Sequence, residues 1–356
     1  MADTADLTKK LPRESTFQSV NTVLGQILTT LQNRSTDIPA WKDAVLALPT
    51  ADKNSLKSAI YEVLGLNSST QTSIEALPDI YEILDSGATA ENGSGLHNSL
   101  YRGKNLGSAP TADQLARVND GTFKGLWVGD YWSKSITFNY LGVPRSSSNG
   151  WVSAEGANTN ETANISPIMR ICDHDYYLRA GDNIDLQQHH LDIAPDEPLY
   201  FAPMNQAKSD TTGAYVGSEM RTKYLAAAEN AFNIFFGSAH LLSYRDALQN
   251  AVANGKASGH AWTDCKVELM DERQVYGSLV YDSGSSDGST IPPRYTVSTK
   301  QFALFRVRPD LISKRQSWWL RNVVSSSFFA LVGDDAVCSY HSSSLVLGVR
   351  PAALIY

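Results

Sequence analysis

The sequence predicts an α+β protein in which a small helical N-terminal module precedes a larger domain of mixed helices and strands. Apolar residues recur at spacings of three and four in the first part of the chain, which is the period of amphipathic helices. From Leu96 onward the chain is richer in aromatic residues and glycine, and its periodic segments are shorter. A Ser- and Gly-containing stretch between the two parts predicts modules at residues 1–95 and 96–356.

Composition excludes several classes of function. Hydrophobic residues make up 42% of the 356 residues and charged residues 19%, so the chain is expected to be globular. A net charge of −7 argues against a nucleic-acid-binding surface, which would need clustered Lys and Arg. No run of about 18 apolar residues is present, so no membrane insertion is expected. The first residues lack the basic-then-apolar order of a signal peptide, which predicts synthesis in a cytoplasm.

Three helices are predicted in the N-terminal module. The first carries an apolar seam formed by Phe17, Val20, Leu24, Ile27 and Leu31. Two heptads of this kind are compatible with a coiled coil that joins copies of the chain and with an amphipathic helix inside a small helical domain. Apolar faces within 56–64 and 74–84 predict the other two helices, the last interrupted at Pro78. Residues 86–95 are then expected to be a linker.

The larger domain is predicted to alternate short helices and strands. A capped helix is expected at 111–118 and further helices at 224–236 and 243–253. Strands are expected at 126–132, 168–172, 199–201 and 262–269. The Ser-, Asn- and Gly-rich stretch 133–167 is expected to add a surface loop.

Residues 322–347 form a segment of unusual composition, here called the variable segment. It contains no Lys, Arg, Glu, Gln, Met or Trp, although the rest of the chain uses all of these. If the adenines of AAC codons are randomised, the resulting NNC codons encode Ser, Asp, Tyr, His, Phe, Leu and similar residues but exclude Lys, Glu, Gln, Met and Trp. The composition therefore fits a segment diversified at asparagine codons. A plain Ser-rich ending of strands and turns is the alternative explanation.

The residues on either side of the variable segment have the features of a rigid framework. Trp318 and Trp319 supply large apolar surfaces before it, and Gly348 and Pro351 restrict the backbone after it. Further motifs lie upstream at 101–107 (YRGKNLG), 129–132 (GDYW), 175–182 (DYYLRAGD) and 267–270 (VELM).

In their order, these motifs resemble a C-type-lectin-fold domain of the formylglycine-generating-enzyme-like kind, over roughly residues 96–356. Such domains occur in phage and bacterial proteins diversified by diversity-generating retroelements, and they display variable side chains near the C-terminus. The resemblance implies a neighbouring reverse transcriptase gene with a near-copy of the 3′ end that differs at adenines. It also implies a supporting scaffold of Trp319, Arg321, Gly348 and Arg350. The implied ligand contacts are Phe328, Gly333, Asp334, Asp335, Val337, Ser339, Tyr340, His341, Ser342, Leu345 and Leu347.

The function implied by the resemblance is that of a non-enzymatic phage virion adhesin, a tail-fibre or receptor-binding protein. Its variable face would bind a host surface protein or glycan, and the N-terminal module would attach it to other virion proteins and assemble a homotrimer. The chain would be made in the bacterial cytoplasm and leave with the particle. The main alternative is a structural head-fibre or capsid decoration protein with a lectin-like domain.

Other chemistry finds little support in the sequence, so no catalytic residue, metal ligand or cofactor is assigned. Cys172, His174, His189 and His190 lack the spacing of a zinc module, and 282–288 lacks the closing Glu of a calcium loop. An enzyme of the formylglycine-generating type would need a cysteine pair, and nothing in the sequence places Cys172 or Cys265 beside Cys338. The odd number of cysteines at irregular spacing predicts reduced thiols.

Overall fold

A computed structural model describes residues 80–144, 152–153 (backbone only), 158–182, 186–283 and 300–356. The chain divides into two compact units, residues 1–79 and 80–356. The helices and the apolar seam predicted within 1–79 lie outside the described residues. The second unit is a mixture of helices and strands, in agreement with the predicted α+β class.

The helices of the described part are short apart from α4. They are α1 (Ile80–Ser86), α2 (Gly93–His97), α3 (Ala112–Asn119), α4 (Leu225–Phe236), α5 (Glu272–Tyr276) and α6 (Ala303–Val307), with a π-helical turn (Met220–Tyr224) leading into α4. The capped helix predicted at 111–118 is confirmed as α3. The Thr111 hydroxyl accepts a hydrogen bond from the Gln114 backbone NH, and the Gln114 side chain accepts one from the Thr111 NH. The helix predicted at 224–236 is confirmed as the π-turn and α4.

One six-stranded sheet has the order β1-β5-β6-β16-β11, with β8 also pairing with β16. All its pairs are antiparallel. Its strands are β1 (Tyr131–Ser133), β5 (Ile168–His174), β6 (Leu191–Pro195), β8 (Leu241–Leu242), β11 (Val267–Leu269) and β16 (Pro351–Ile355). The C-terminal strand β16 thus lies inside the sheet, between β6 and β11.

A second six-stranded sheet carries most of the variable segment and has the order β14-β13-β12-β15-β3, with β7 also pairing with β15. Its strands are β3 (Val152–Ser153), β7 (Tyr200–Ala202), β12 (Trp318–Val323), β13 (Phe328–Val332), β14 (Cys338–Ser342) and β15 (Leu345–Val349). The pair β12–β15 is parallel and the others are antiparallel. Strand β14 therefore forms one edge of this sheet.

Two two-stranded antiparallel sheets complete the described strands: β2 (Ile136–Gly142) with β4 (Thr159–Ile165), and the hairpin of β9 (Tyr244–Ala253) with β10 (Lys256–Cys265). Strands β2 and β4 pair at the two ends of the stretch 133–167, and the extra length expected to add a surface loop lies between them, partly outside the described residues. Backbone pairing of β3 with Leu345 and Val346 also brings this stretch to the end of the variable segment.

The helix predicted at 243–253 is wrong, because these residues form β9. Asn254 and Gly255 turn the chain with φ values of 52° and 73°, the left-handed conformation that a two-residue hairpin turn requires. Nine residues of β10 then pair with β9 along its length, and this pairing outweighs the helical propensity of the Ala- and Leu-containing stretch.

The linker predicted at 86–95 is also wrong in part, since α1 and α2 belong to the second unit and pack against the rest of it. Tyr81 donates a hydrogen bond to the Tyr101 carbonyl oxygen at 3.0 Å, and its ring contacts Trp127 edge-on. Asp85 accepts from the Gly125 NH at 2.9 Å and contacts buried His97 at 2.7 Å. The compact unit consequently begins at Ile80 instead of residue 96.

A hydrophobic core of buried residues draws side chains from both large sheets and from α4. The motifs noted in the sequence supply much of the polar framework around it. Arg102 binds buried Asp130 through Nε at 3.1 Å, and Tyr215 donates to buried Glu268 at 2.8 Å. Asp130 also accepts a hydrogen bond from the Trp127 NH, which closes a turn within the strand predicted at 126–132. Only residues 131–133 are therefore in β1. No helix within the described residues is long and apolar enough to cross a membrane.

Candidate ligand-binding face

The variable segment forms the end of β12, the β13–β14 hairpin, the turn after it and most of β15. In the hairpin, Phe328 pairs with Ser342 and Val332 with Cys338. Strand β13 is buried from Phe329 to Val332, whereas only Cys338 is buried in the edge strand β14. Side chains alternate along a strand, so Phe328 and Tyr340 lie on one side of the hairpin and Ser339 and His341 on the other. We call the exposed and partly exposed residues of the hairpin and its turn, Phe328, 334–337 and 339–342, the hairpin face.

Most of the residues expected to contact a ligand reach the surface. The exposed ones are Asp334, Asp335, Val337, Tyr340 and His341, and the partly exposed ones are Phe328, Ser339, Ser342 and Leu345. Val337 is 58% exposed and Tyr340 42% exposed, which is high for apolar and aromatic side chains. These nine residues are accessible to a partner in this structure.

Two of the expected contacts are corrected by the structure. Leu347 is 1% exposed and pairs with Ala202 of β7, so its side chain belongs to the core. Gly333 is buried at the start of the β13–β14 turn, where a Cβ atom would lie 2.6 Å from Asp335 Oδ1. Neither residue is available to a ligand, and both are constrained by packing.

An aromatic cluster occupies the centre of the hairpin face. The Phe328 and Tyr340 rings have centroids 5.4 Å apart, and the Tyr340 and Tyr281 rings are 4.9 Å apart in an edge-to-face arrangement. Such pairs contribute about 0.5–1.5 kcal/mol beyond burial of their area. Tyr281 lies outside the variable segment, and the sequence reasoning missed it. Because it reaches the face only through tertiary folding, no local pattern in the sequence marks it.

The turn between β13 and β14 is held by local hydrogen bonds. Asp335 Oδ1 accepts from the Val337 NH at 3.0 Å, and the Gly333 NH donates to the Val337 carbonyl oxygen at 2.8 Å. The Asp334 carbonyl oxygen accepts from the Ser313 hydroxyl at 2.8 Å. Asp335 therefore has a structural role in addition to its exposure, and an Asn there would preserve the acceptor.

The turn between β14 and β15 is fixed by a neighbouring loop, residues 205–212. Buried Ser343 accepts from the Asp210 NH at 2.9 Å and donates to the Ala207 carbonyl oxygen at 3.1 Å. Ser342 Oγ accepts from the Ser209 NH at 3.2 Å. Partly exposed Ser342 is thus committed to holding this loop, and its hydroxyl is less suited to a ligand than those further along β14.

All four residues expected to support the face are buried. Trp319 Nε1 donates to the Ala202 carbonyl oxygen at 3.0 Å, and a Cβ atom on Gly348 would lie 2.4 Å from Pro198. Arg350 donates from Nε to the Pro195 carbonyl oxygen at 2.9 Å, and its guanidinium lies 4.8 Å from the centroid of the Trp318 ring. These contacts connect both ends of the variable segment to the core.

Arg321 forms a buried ion pair at the start of the variable segment. Its Nη2 lies 2.8 Å from Asp246 Oδ2 and 3.5 Å from Asp271 Oδ2, and all three side chains are at most 7% exposed. Burial acts to lower the pKa of Arg321, but the adjacent carboxylates outweigh it and raise that pKa well above its ordinary value. The guanidinium therefore stays charged, and it balances two buried acids.

The three cysteines lack the features of a reactive pair. All are buried and unbonded. Burial raises the pKa of Cys172 to about 12, which keeps its thiol protonated and weakly nucleophilic at neutral pH. The Cys338 thiol contacts Glu272 at 3.6 Å.

The His and Cys side chains grouped in the sequence are occupied by protein hydrogen bonds. His174 contacts Asn98 at 2.9 Å and the Leu126 carbonyl oxygen at 3.1 Å, and His189 contacts Asp175 at 2.7 Å. Within the described residues, no group of three or more His, Cys, Asp or Glu is placed to hold a metal ion.

Removal of divalent metals is expected to leave the melting temperature unchanged, because the candidate ligands already bond to other side chains and to the backbone. Thermal unfolding followed by circular dichroism, with and without EDTA, measures this. A decrease of more than about five degrees, the shift expected for about 1–2 kcal/mol, would reveal a metal site that these contacts do not account for.

No family model, no curated protein and no solved structure matches this chain.

Proposed function

We propose that this protein is a phage virion adhesin, a tail-fibre or receptor-binding protein without enzymatic activity. Its second unit would have a C-type-lectin-like fold and bind a host surface ligand through the hairpin face. The proposal rests on the resemblance of the framework motifs and on the surface that this framework presents.

The observation that carries the proposal is the match between composition and exposure. The variable segment has the restricted composition expected of randomised asparagine codons, and nine of its eleven expected contacts are exposed or partly exposed. Exposed positions usually tolerate substitution within about 0.5 kcal/mol, whereas buried ones do not. A segment subject to diversification would have to be arranged in this way, with its variable side chains outside and its ends anchored.

The chemistry of the hairpin face also suits recognition. Tyr and Phe rings supply large, rigid contact areas, and short Ser, Asp and His side chains supply hydrogen bonds. The same combination is used by antibody paratopes, which must bind many surfaces on one scaffold. An enzyme would instead need convergent groups with altered reactivity, and the buried, protonated Cys172 thiol does not meet that need.

Adsorption of the full-length protein to whole bacterial cells tests this function. We expect saturable adsorption to some strains of a diverse panel, and we expect it to be lost when the exposed side chains of the hairpin face are replaced. Saturable adsorption that survives their replacement would contradict the proposal.

Assembly through residues 1–79 is part of the proposal, because several weak contacts on one particle increase avidity through effective concentration. Light scattering at micromolar concentration is expected to give an oligomer, a homotrimer, for the full-length chain and weaker self-association for residues 80–356. A full-length monomer would contradict this. A further truncation to 96–356 should melt at a lower temperature than 80–356, because it loses the contacts of Tyr81 and Asp85.

A further inference from the structure

Residues 280–283 form a strap that crosses beside the hairpin face, and its backbone is fixed by one buried carboxylate. Glu272, at the start of α5, is fully buried. Its Oε2 accepts from the Val280 NH at 2.6 Å and from the Asp282 NH at 3.2 Å, and its Oε1 accepts from the Tyr281 NH at 3.0 Å. Three successive NH groups converge on the same side chain, which defines the path of the strap.

The far end of the strap is fixed as well. The Asp282 carboxylate accepts from Gln249 Nε2 at 2.7 Å and from Asn322 Nδ2 at 2.6 Å. Both the NH and the hydroxyl of Ser283 donate to the Val323 carbonyl oxygen, at 3.0 and 2.9 Å. The strap is therefore connected to β9 and to the end of β12, where the variable segment begins.

This fixed strap presents two apolar side chains to solvent. Tyr281 is 39% exposed and Val280 is 49% exposed. Polar residues at these two positions would avoid exposing apolar side chains to water. The Tyr281 ring meets Tyr340 edge-on and thereby extends the aromatic cluster beyond the hairpin. Rigid presentation of an exposed aromatic ring reduces the entropy lost when a partner binds it.

We propose that Tyr281 is a constant contact of the binding face, that Glu272 is the residue that positions it, and that the partner is a protein instead of a glycan. The inference rests on the proposed function, since it assigns a further contact and a ligand class to the same face. In this arrangement the variable segment supplies the changing contacts, and the strap supplies an aromatic anchor encoded outside it.

The choice of a protein partner follows from the apolar side chains around the rings. Val280 is exposed directly before Tyr281 in the strap, and Val337 is exposed in the turn that leads into the strand of Tyr340. Aliphatic side chains beside the rings would leave the hydroxyls of a sugar without hydrogen bonds, and such burial is unfavourable. An apolar protein side chain has no such requirement and suits the centre of an interface.

Charge restricts the partner further. The variable segment carries Asp334 and Asp335, both exposed, and contains no Lys or Arg. Partial burial lowers the pKa of His341, so this residue adds no positive charge at neutral pH. The turn of the hairpin is therefore locally acidic, and basic groups of a protein partner would complement Asp334 and Asp335.

Single substitutions in the full-length, fluorescently labelled protein test the role of Tyr281. The probe is the strain of a bacterial panel to which the unmodified protein adsorbs most strongly. Tyr281→Ala is expected to weaken adsorption about tenfold or more, as for an interface hot spot, while the melting temperature falls by only about a few degrees from loss of the ring contact with Tyr340. Ile234→Ala is the matched control, because Ile234 is an apolar residue of α4 with 42% exposure, and it should leave adsorption unchanged.

A double-mutant cycle tests the positioning role of Glu272. Glu272→Gln keeps one acceptor oxygen and loses the other. As a single substitution it should weaken adsorption, but added to Tyr281→Ala it should cause no further loss. Equal, additive losses in both backgrounds would show that Glu272 acts on the fold in general, which overturns the positioning role. If Glu272→Gln unfolds the chain, Glu272→Asp is used in the same cycle.

Treatment of the cells decides the ligand class. Protease treatment is expected to abolish adsorption, and periodate oxidation of glycans to leave it intact; the reverse result would overturn the protein assignment. If Tyr340→Ala loses adsorption and Tyr281→Ala does not, the inference about the strap is wrong and the proposed function stands. If neither substitution changes adsorption, or if no strain of the panel is bound, the proposed function itself fails.

Discussion

Replacing Arg321 with Met is expected to lower the free energy of unfolding by about 3–5 kcal/mol. Met has a similar length and no charge, so the change removes the guanidinium without opening a large cavity. Asp246 and Asp271 would then remain buried without the cation that lies within 2.8 and 3.5 Å of them. Two uncompensated buried acids cost more than the loss of one contact.

Thermal and urea unfolding of the full-length variant, compared with the unmodified chain, measures this effect. The matched control is Arg308→Met, since Arg308 pairs with Asp310 at 2.6 Å but the two side chains are 37% and 59% exposed. Exposed ion pairs contribute roughly 0–1 kcal/mol, so the control should lose little. Adding Asp246→Asn and Asp271→Asn to Arg321→Met should restore part of the stability. Equal losses at Arg321 and Arg308 would contradict a central role for the buried cation.

Elements with strong local signals were predictable from the sequence. Thr111 and Gln114 stand three residues apart at the start of α3, which is the spacing of a capping box, and the structure contains both reciprocal hydrogen bonds. The strand predicted at 168–172 is confirmed within β5, and Met169, Ile171 and Cys172 are buried. In both cases the decisive interactions lie within the segment or follow its hydrophobic pattern.

Elements that depend on distant partners were predicted less well. Residues 244–253 have helix-forming side chains but pair as β9 with β10, and the Asn254–Gly255 hairpin signal was overlooked. Residues 93–97 have the Gly and Ser content of a linker, yet Gly93 belongs to α2 and approaches the backbone of Gly121 so closely that a Cβ atom would lie 2.2 Å from its carbonyl oxygen. Composition alone does not indicate such contacts between distant parts of the chain.

The same distinction applies to the candidate site. Composition identified the variable segment, and the structure places Val337, Tyr340 and His341 at the surface. Composition did not distinguish Leu347, whose side chain is buried in the core, from Leu345, which is partly exposed. Nor did it reveal Tyr281, which reaches the face because Glu272 fixes a strap from another part of the chain.

Replacement of the hairpin face as a whole is expected to abolish binding and to leave the protein folded. The variant changes the exposed and partly exposed residues of the hairpin: Phe328→Ser, Asp334→Ser, Asp335→Asn, Val337→Ser, Tyr340→Ser and His341→Ser. Leu345 is left in place because it packs against the core, and Asn at 335 preserves the acceptor of the turn. Since exposed changes usually cost about 0.5 kcal/mol or less, most of the stability should remain.

Trp319→Ala is the control for a substitution that destabilises the fold itself. Its indole is fully buried and donates to the Ala202 carbonyl oxygen, so truncation should cost about 3–5 kcal/mol. Loss of adsorption by this variant would follow from unfolding alone. The two variants together show whether any loss of adsorption comes from the face or from the fold.

The most direct test of the account is adsorption of the hairpin-face variant to whole bacterial cells, measured in parallel with its melting temperature. A few hot spots, each contributing over about 1 kcal/mol, predict that adsorption falls about 100-fold or more while the protein stays folded. Unchanged adsorption by a folded variant would contradict a binding role for the hairpin face. Unfolding of the variant would show that the segment belongs to the core and would remove the main support for a receptor-binding function.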